Sequence, residues 1–188
     1  MDCTKCTVKS CRTARQCHAQ KFDTESVLSA YHLPESARIV RAAAKLVDHG
    51  RAGTLSRLQE IVEFSKLMNF QRIGIAYCYG MEKEAGVISS VLKEAGFKTC
   101  PVSCTTGGLK QSEINLACNI EKTACNPIAQ AEQLNIEEVD FTITVGLCMG
   151  HDILFTKHIK SYSTTLIVKD RVHHHNPGEA IWAAGSGN

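Results

Sequence analysis

The sequence predicts an α/β fold, a parallel sheet with flanking helices, preceded by a cysteine-rich metal-binding N-terminal segment and by helices. Three observations point there. From residue 70 onward, short apolar runs alternate with stretches of helical periodicity, the pattern of a parallel sheet joined by right-handed crossovers. Residues 1–22 are polar and dense in cysteine, with too few large apolar side chains to build a core without a crosslink. Residues 23–69, between them, are helical in pattern and contain no cysteine. The chain is therefore divided at 1–22, 23–69 and 70–184.

In the middle part, Ile39, Val40, Ala43, Leu46 and Val47 recur at the spacing of one helical face over residues 35–50, with Gly50 as a C-terminal stop. A second helix follows, with Thr54 as its cap and Leu55, Leu58, Ile61, Val62 and Leu67 as its buried stripe. The first strand is the apolar run 72–78, and residues 83–95 form an amphipathic helix through Ala85, Ile88, Val91 and Leu92. Residues 97–104 form the second strand, which Pro101 assigns to an edge or a bulge. Asn126-Pro127 starts a helix through residue 138, combining an N-cap with proline at the first helical position. Residues 141–147 are the third strand, 151–159 its helix and 164–168 the fourth strand. A short helix follows Asn176-Pro177, and 185–188 read as a frayed tail.

Composition narrows the function. With 188 residues, 44% of them hydrophobic, the chain can bury an ordinary core. No apolar run approaches the roughly 18 residues of a membrane span, and the N-terminus lacks the apolar region of a signal peptide, so a cytoplasmic location and no membrane partner are expected. A formal net charge of +2, spread over interspersed Lys, Arg, Asp and Glu, lacks the basic stripe of a nucleic-acid binder.

Cysteine is the outlier, with 10 residues. In a reducing compartment such usage points to metal, redox or sulfur chemistry rather than to disulfides. Cys3, Cys6, Cys11 and Cys17 place four thiols within fifteen residues, and the Cys3-x2-Cys6 pair has the spacing by which two thiolates grip one metal. Spacing leaves zinc and a [4Fe–4S] cluster both open. His18, beside Cys17, is a weaker substitute ligand.

The second group follows from topology. In a parallel sheet all strands end on one edge, and ligand sites of open α/β sheets lie outside it. Cys78, Cys104 and Cys148 end three predicted strands, and Cys125 precedes the Asn126-Pro127 helix start. Soft thiolates so gathered would select zinc, copper(I) or an iron–sulfur centre, against the plainer reading of each as a small buried hydrophobe. Gly146 and Gly150 let the backbone approach Cys148 closely, while His151 and Asp152 stand beside it as supporting groups. Cys100 and Cys118 fall away from strand ends and are read as buried thiols. His173, His174 and His175 are read as a solvated turn. Lys169-Asp170-Arg171 ends the fourth strand as a surface ion-pair group or an anion holder, and Thr105-Thr106-Gly107-Gly108 is a flexible turn without full phosphate-loop spacing. No Ser-His-Asp order or dinucleotide fingerprint is present.

Three stretches, with His175-Asn176-Pro177, carry a resemblance: Cys125-Asn126-Pro127-Ile128-Ala129-Gln130-Ala131-Glu132-Gln133-Leu134-Asn135; Val145-Gly146-Leu147-Cys148-Met149-Gly150-His151-Asp152-Ile153-Leu154-Phe155; and Thr165-Leu166-Ile167-Val168-Lys169-Asp170-Arg171-Val172. Together with the N-terminal cysteines and Tyr77-Cys78-Tyr79-Gly80, they resemble the cysteine-rich bacterial and archaeal family catalogued as domain of unknown function 1847. The resemblance implies metal binding at Cys3, Cys6, Cys11 and Cys17, with Cys78, Cys104, Cys125 and Cys148 as a second site. Members occur largely in anaerobes, which favours iron–sulfur over zinc. Tyr79 and Met149 vary the family's local pattern, and Cys118 has no counterpart in it.

Two functions compete. One is an iron–sulfur protein with a redox or sulfur-transfer role, holding one or two [4Fe–4S] clusters. His151, Asp152 and Lys169 would serve as proton donors or anchors for a small sulfur-containing or anionic ligand, and a redox protein would be the partner. The other is a zinc-binding structural or sensor module without catalysis. A thiol-disulfide oxidoreductase using Cys3 and Cys6 is weaker, because that pair lacks a strand-to-helix setting.

Overall fold

The computed structural model describes residues 1–185. The expected frayed tail falls, from residue 186 on, outside the described residues. The chain divides into two compact units, Met1–Lys45 and the remainder from Leu46.

The first unit opens with two 3₁₀ turns, Cys3–Lys5 and Ser10–Thr13. Helix α1, Thr24–His32, follows; Asp23 caps it by accepting from the Ser26 N–H at 2.8 Å. The sequence reading did not separate α1, whose Val27, Leu28 and Tyr31 are exposed and trace no buried stripe. Helix α2 spans Pro34–Val47. Its buried positions are Ala42 and Leu46, whereas Val40 and Val47 of the expected stripe face solvent. No residue from Met1 to Arg41 is buried.

The second unit holds the predicted sheet. Strands β1 (Arg72–Tyr77), β2 (Lys98–Ser103), β3 (Phe141–Val145) and β4 (Tyr162–Ile167) are all parallel, in the order β2-β1-β3-β4. β3 is buried along its whole length and β1 from Ile73 to Ala76, as the continuous apolar runs of central parallel strands require. β2 is an edge strand and tolerates Pro101, which stands opposite Ile75. β4, the other edge, alternates half-buried with exposed side chains over its first four residues.

The connecting helices are α3 (Arg57–Leu67), α4 (Glu82–Glu94), the single turn α5 (Gln111–Ile114), α6 (Pro127–Ile136) and α7 (His151–His158); α8 (Gly178–Gly185) closes the described chain. The cap of α3 is Ser56 rather than Thr54: Ser56 and Gln59 form a reciprocal capping box, which satisfies two otherwise orphaned donors. Asn126 caps α6 as expected, accepting from Ala129 N–H at 3.1 Å, with Pro127 in the first turn.

The two edges of the sheet differ in character. At the N-terminal edge, Phe70, Phe141, Phe64 and Tyr162 pack ring on ring, with Phe70 and Phe141 stacked at 5.5 Å. There the Asp140 carboxylate accepts from the N–H groups of Gln71 and Arg72 at 2.7 and 2.9 Å, tying the start of β1 to that of β3. On β1, Gly74 marks a close approach of α6. A Cβ there would stand 2.9 Å from Leu134 Cδ2 and 3.0 Å from Thr142 Oγ1. No helix among the described residues is long and apolar enough to cross a membrane.

Candidate metal and thiol sites

The strand order reverses direction between β1 and β3: the chain leaves β1 toward β2 on one side and β3 toward β4 on the other. Such a switch point opens a crevice at the C-terminal edge, where open α/β sheets take ligands. Cys78 follows β1, and its N–H donates to Val145 O at 3.0 Å, which ties it to the end of β3. Cys104 follows β2, with its N–H on Tyr77 O at 2.9 Å and its carbonyl accepting from Asn126 N–H at 2.6 Å. That last bond carries the chain of the α6 cap, and Cys125 with it, to the end of β2.

The resulting contact is direct: the Cys104 thiol donates to Cys125 Sγ at 3.5 Å. The Tyr79 N–H in turn donates to Cys104 Sγ at 3.4 Å. Burial is the main force on Cys104, pushing its thiol up to about 12; the Tyr79 N–H opposes this, while Cys125 and Cys78 add to it. Cys104 is thus a neutral thiol at ordinary pH, and a metal would have to displace its proton. All ten cysteines are free thiols.

Cys148 is reached differently. Gly146, at φ +61°, lies so close to Met81 that a Cβ would stand 2.8 Å from Met81 Cγ, and Lys169 Nζ would be 3.8 Å from that Cβ. The Cys148 carbonyl accepts from His151 and Asp152 N–H at 2.9 and 3.1 Å, starting α7. The Cys148 Sγ accepts from the Arg171 guanidinium at 3.1 Å. Arg171 holds its proton more firmly for this, through the Cys148 hydrogen bond first and the Cys148 charge second, with smaller contributions from Cys78 and Tyr79.

Of the proposed supporting groups, Lys169 lies over Gly146 and His151 opens α7. The Asp152 carboxylate accepts from Gly150 and Ile153 N–H at 3.0 and 2.8 Å, so it shapes the loop that carries Cys148. The histidine triplet is a turn with a similar task. His175 Nδ1 accepts from Asp170 N–H at 3.1 Å, and the Asp170 carboxylate accepts from Val172 and His173 N–H at 2.9 Å each. The His173 N–H is the largest cause that holds the Asp170 carboxyl below its ordinary range. This closed turn presents Arg171 to Cys148. Cys100 lies half-buried within β2, opposite Gly74, where burial raises its pKa; Cys118 is half-buried in the loop after α5.

Two contributors went unread in the sequence. The sequence places Arg171 in a triplet that is a surface ion-pair group or an anion holder, and the structure makes it a partner of Cys148. Gln130, fully buried on α6, donates through Nε2 to Tyr77 O at 3.1 Å and Val102 O at 2.7 Å, and so clasps the ends of β1 and β2 beneath Cys78 and Cys104. Its signal was a lone amide in the otherwise apolar line Pro127, Ala131 and Leu134.

The N-terminal thiols belong to the first unit. Asp2 caps the first turn by accepting from Thr4 N–H at 3.0 Å, and Lys9, left-handed at φ 49°, donates its N–H to Cys6 Sγ at 3.4 Å. Cys3, Cys6, Cys17 and His18 line one cavity of about 270 Å³; Cys11, on the second turn, is outside that lining.

Thiols and imidazole suit zinc or an iron–sulfur centre, so both donor sets fit such a group in their chemistry. Among the described residues, no three His, Cys, Asp or Glu side chains already converge as a metal-holding group. Side chains in either set must therefore turn inward to close around a centre.

The family described as "Protein of unknown function (DUF1847)" matches residues 14–166. The chain belongs to this family. It is also similar to an uncharacterized protein of Methanocaldococcus jannaschii, 41% identical over 188 aligned residues that cover 97% of this chain and 94% of the relative. No solved structure matches. The DUF1847 match takes in Cys17, the strand-edge cysteines and the α7 loop, and stops before Lys169 and Arg171.

Proposed function

We propose that this DUF1847 protein is a metal-binding protein whose cysteines hold iron–sulfur centres, one at the N-terminal thiols and one at the strand edge, in a redox or sulfur-transfer role. The observation that carries the reading is the strand-edge set: Cys104 and Cys125 touch at 3.5 Å, Cys78 acts electrostatically on Cys104, and Cys148 lies across the switch point. Four free thiols at a ligand crevice are soft donors of the kind that bind iron–sulfur centres, and such a centre would supply one-electron transfer.

The chain's own groups have separate tasks. Cys78, Cys104, Cys125 and Cys148 are the ligands. Arg171 offsets negative charge at Cys148, and Asp152 fixes the loop that carries it. Lys169 and His151 are the anchors or proton donors for a small anionic or sulfur-containing ligand in the crevice. A redox protein is the expected macromolecular partner. A zinc-holding structural or sensor module is the second reading, favoured by the free C-x2-C pair at Cys3 and Cys6.

The test is purification without oxygen, followed by iron, acid-labile sulfide and zinc per chain and a visible spectrum before and after dithionite. About eight iron and eight sulfide would mean two cubane centres. Zinc without iron or sulfide would transfer the assignment to the second reading, and absence of all three would end both.

A further inference from the structure

We propose that the N-terminal centre is held by Cys3, Cys6, Cys17 and His18, and that Cys11 is not a ligand. This rests on the metal-binding reading above and changes its donor set. The four named residues line the same cavity, and Cys11 does not.

Cys17 and His18 are neighbours in sequence, which on an extended strand would send their side chains to opposite faces. Here the Gln20 N–H donates to Cys17 O at 3.1 Å, closing a turn with His18 at its first corner, and both residues reach the same wall. The Lys9 N–H donates to Cys6 Sγ at 3.4 Å and so holds that sulfur within the same turn. Cys11, exposed on Ser10–Thr13, is given no part in this arrangement.

The donor set is then three thiols and one imidazole. Imidazole in place of a thiolate removes one negative charge from the ligand set, which raises the reduction potential of the centre.

The experiment uses the full chain, reconstituted anaerobically with ferrous iron and sulfide, as wild type and as Cys11→Ser, Cys17→Ser, His18→Ala and His18→Cys. Iron and sulfide are counted per chain, the potential is measured, and the thermal transition confirms that each variant folds. Cys11→Ser should keep the wild-type iron. Cys17→Ser and His18→Ala should lose the same share of it, and His18→Cys should recover that share at a lower potential. Loss of iron in Cys11→Ser, or its retention in His18→Ala, overturns the donor set. A wild type that takes up no iron fails at the earlier step, and the metal-binding reading falls with it.

Discussion

Cys3, Cys6 and Cys17 come together within a short polar segment, by turns alone, with no buried residue anywhere before Ala42. Cys78, Cys104, Cys125 and Cys148 are scattered along the chain and are assembled by the ends of three strands and the start of a helix. The first set has no buried core beneath it, so on the metal-binding proposal a bound centre would supply the order that a core otherwise provides. The second stands on a sheet whose two central strands are buried. Its cost is different: burial there keeps Cys104 protonated. On the metal-binding proposal, the local site would draw its order from the metal, and the distributed site would have to lose the Cys104 proton to bind one.

The largest expected effect breaks the first half of that comparison. Stripping metal with a chelator should bring the amides of residues 3–22 to the exchange rates of an unfolded chain and leave β1 and β3 protected, as followed by hydrogen exchange. Equal loss in both regions would mean that the sheet also depends on metal.

A smaller effect probes the second half. Gly74→Ala puts a Cβ against Leu134, Thr142 and Val139 in the packing between β1 and α6. Such overpacking costs about 1–3 kcal/mol, read as a lowered urea midpoint, with metal uptake by the N-terminal set unchanged.

The effect that is smallest at neutral pH concerns the Cys104 proton. In the folded chain its pKa is about 12 against an ordinary 9.0, so the unfolded chain loses this proton first as pH rises. The stability it contributes is complete below about pH 9 and lost on the way to about pH 12. In metal-free protein, Cys104→Ala should flatten that alkaline decline in the urea midpoint; an unchanged slope would mean that other groups cause it.

The parts legible in the sequence were those governed by local chemistry. Apolar runs marked the strands, Pro101 marked an edge, and Asn126-Pro127 marked a helix start. Ser56 and Thr54 were less separable, since both are good caps and the choice depended on Gln59 reaching back. Placing Cys78, Cys104, Cys125 and Cys148 at one edge needed only the parallel sheet. Pairing Cys104 with Cys125 needed the Asn126 N–H to find the Cys104 carbonyl, and bringing Arg171 to Cys148 needed the Asp170–His175 turn. Those contacts join different connections of the sheet, and no periodicity or spacing encodes them.

Both outer strands also bear on how this chain behaves at high concentration. An open sheet offers unpaired backbone groups at its margins, an invitation to stack with other copies into fibrils. A newcomer at β2 meets Pro101, which has no N–H to give. At β4 the Arg57 guanidinium is bonded to the Thr164 hydroxyl at 2.7 Å, which puts a charge beside that strand. One margin thus lacks a backbone donor and the other carries a charge beside it, two features that disfavour polymerisation through backbone pairing.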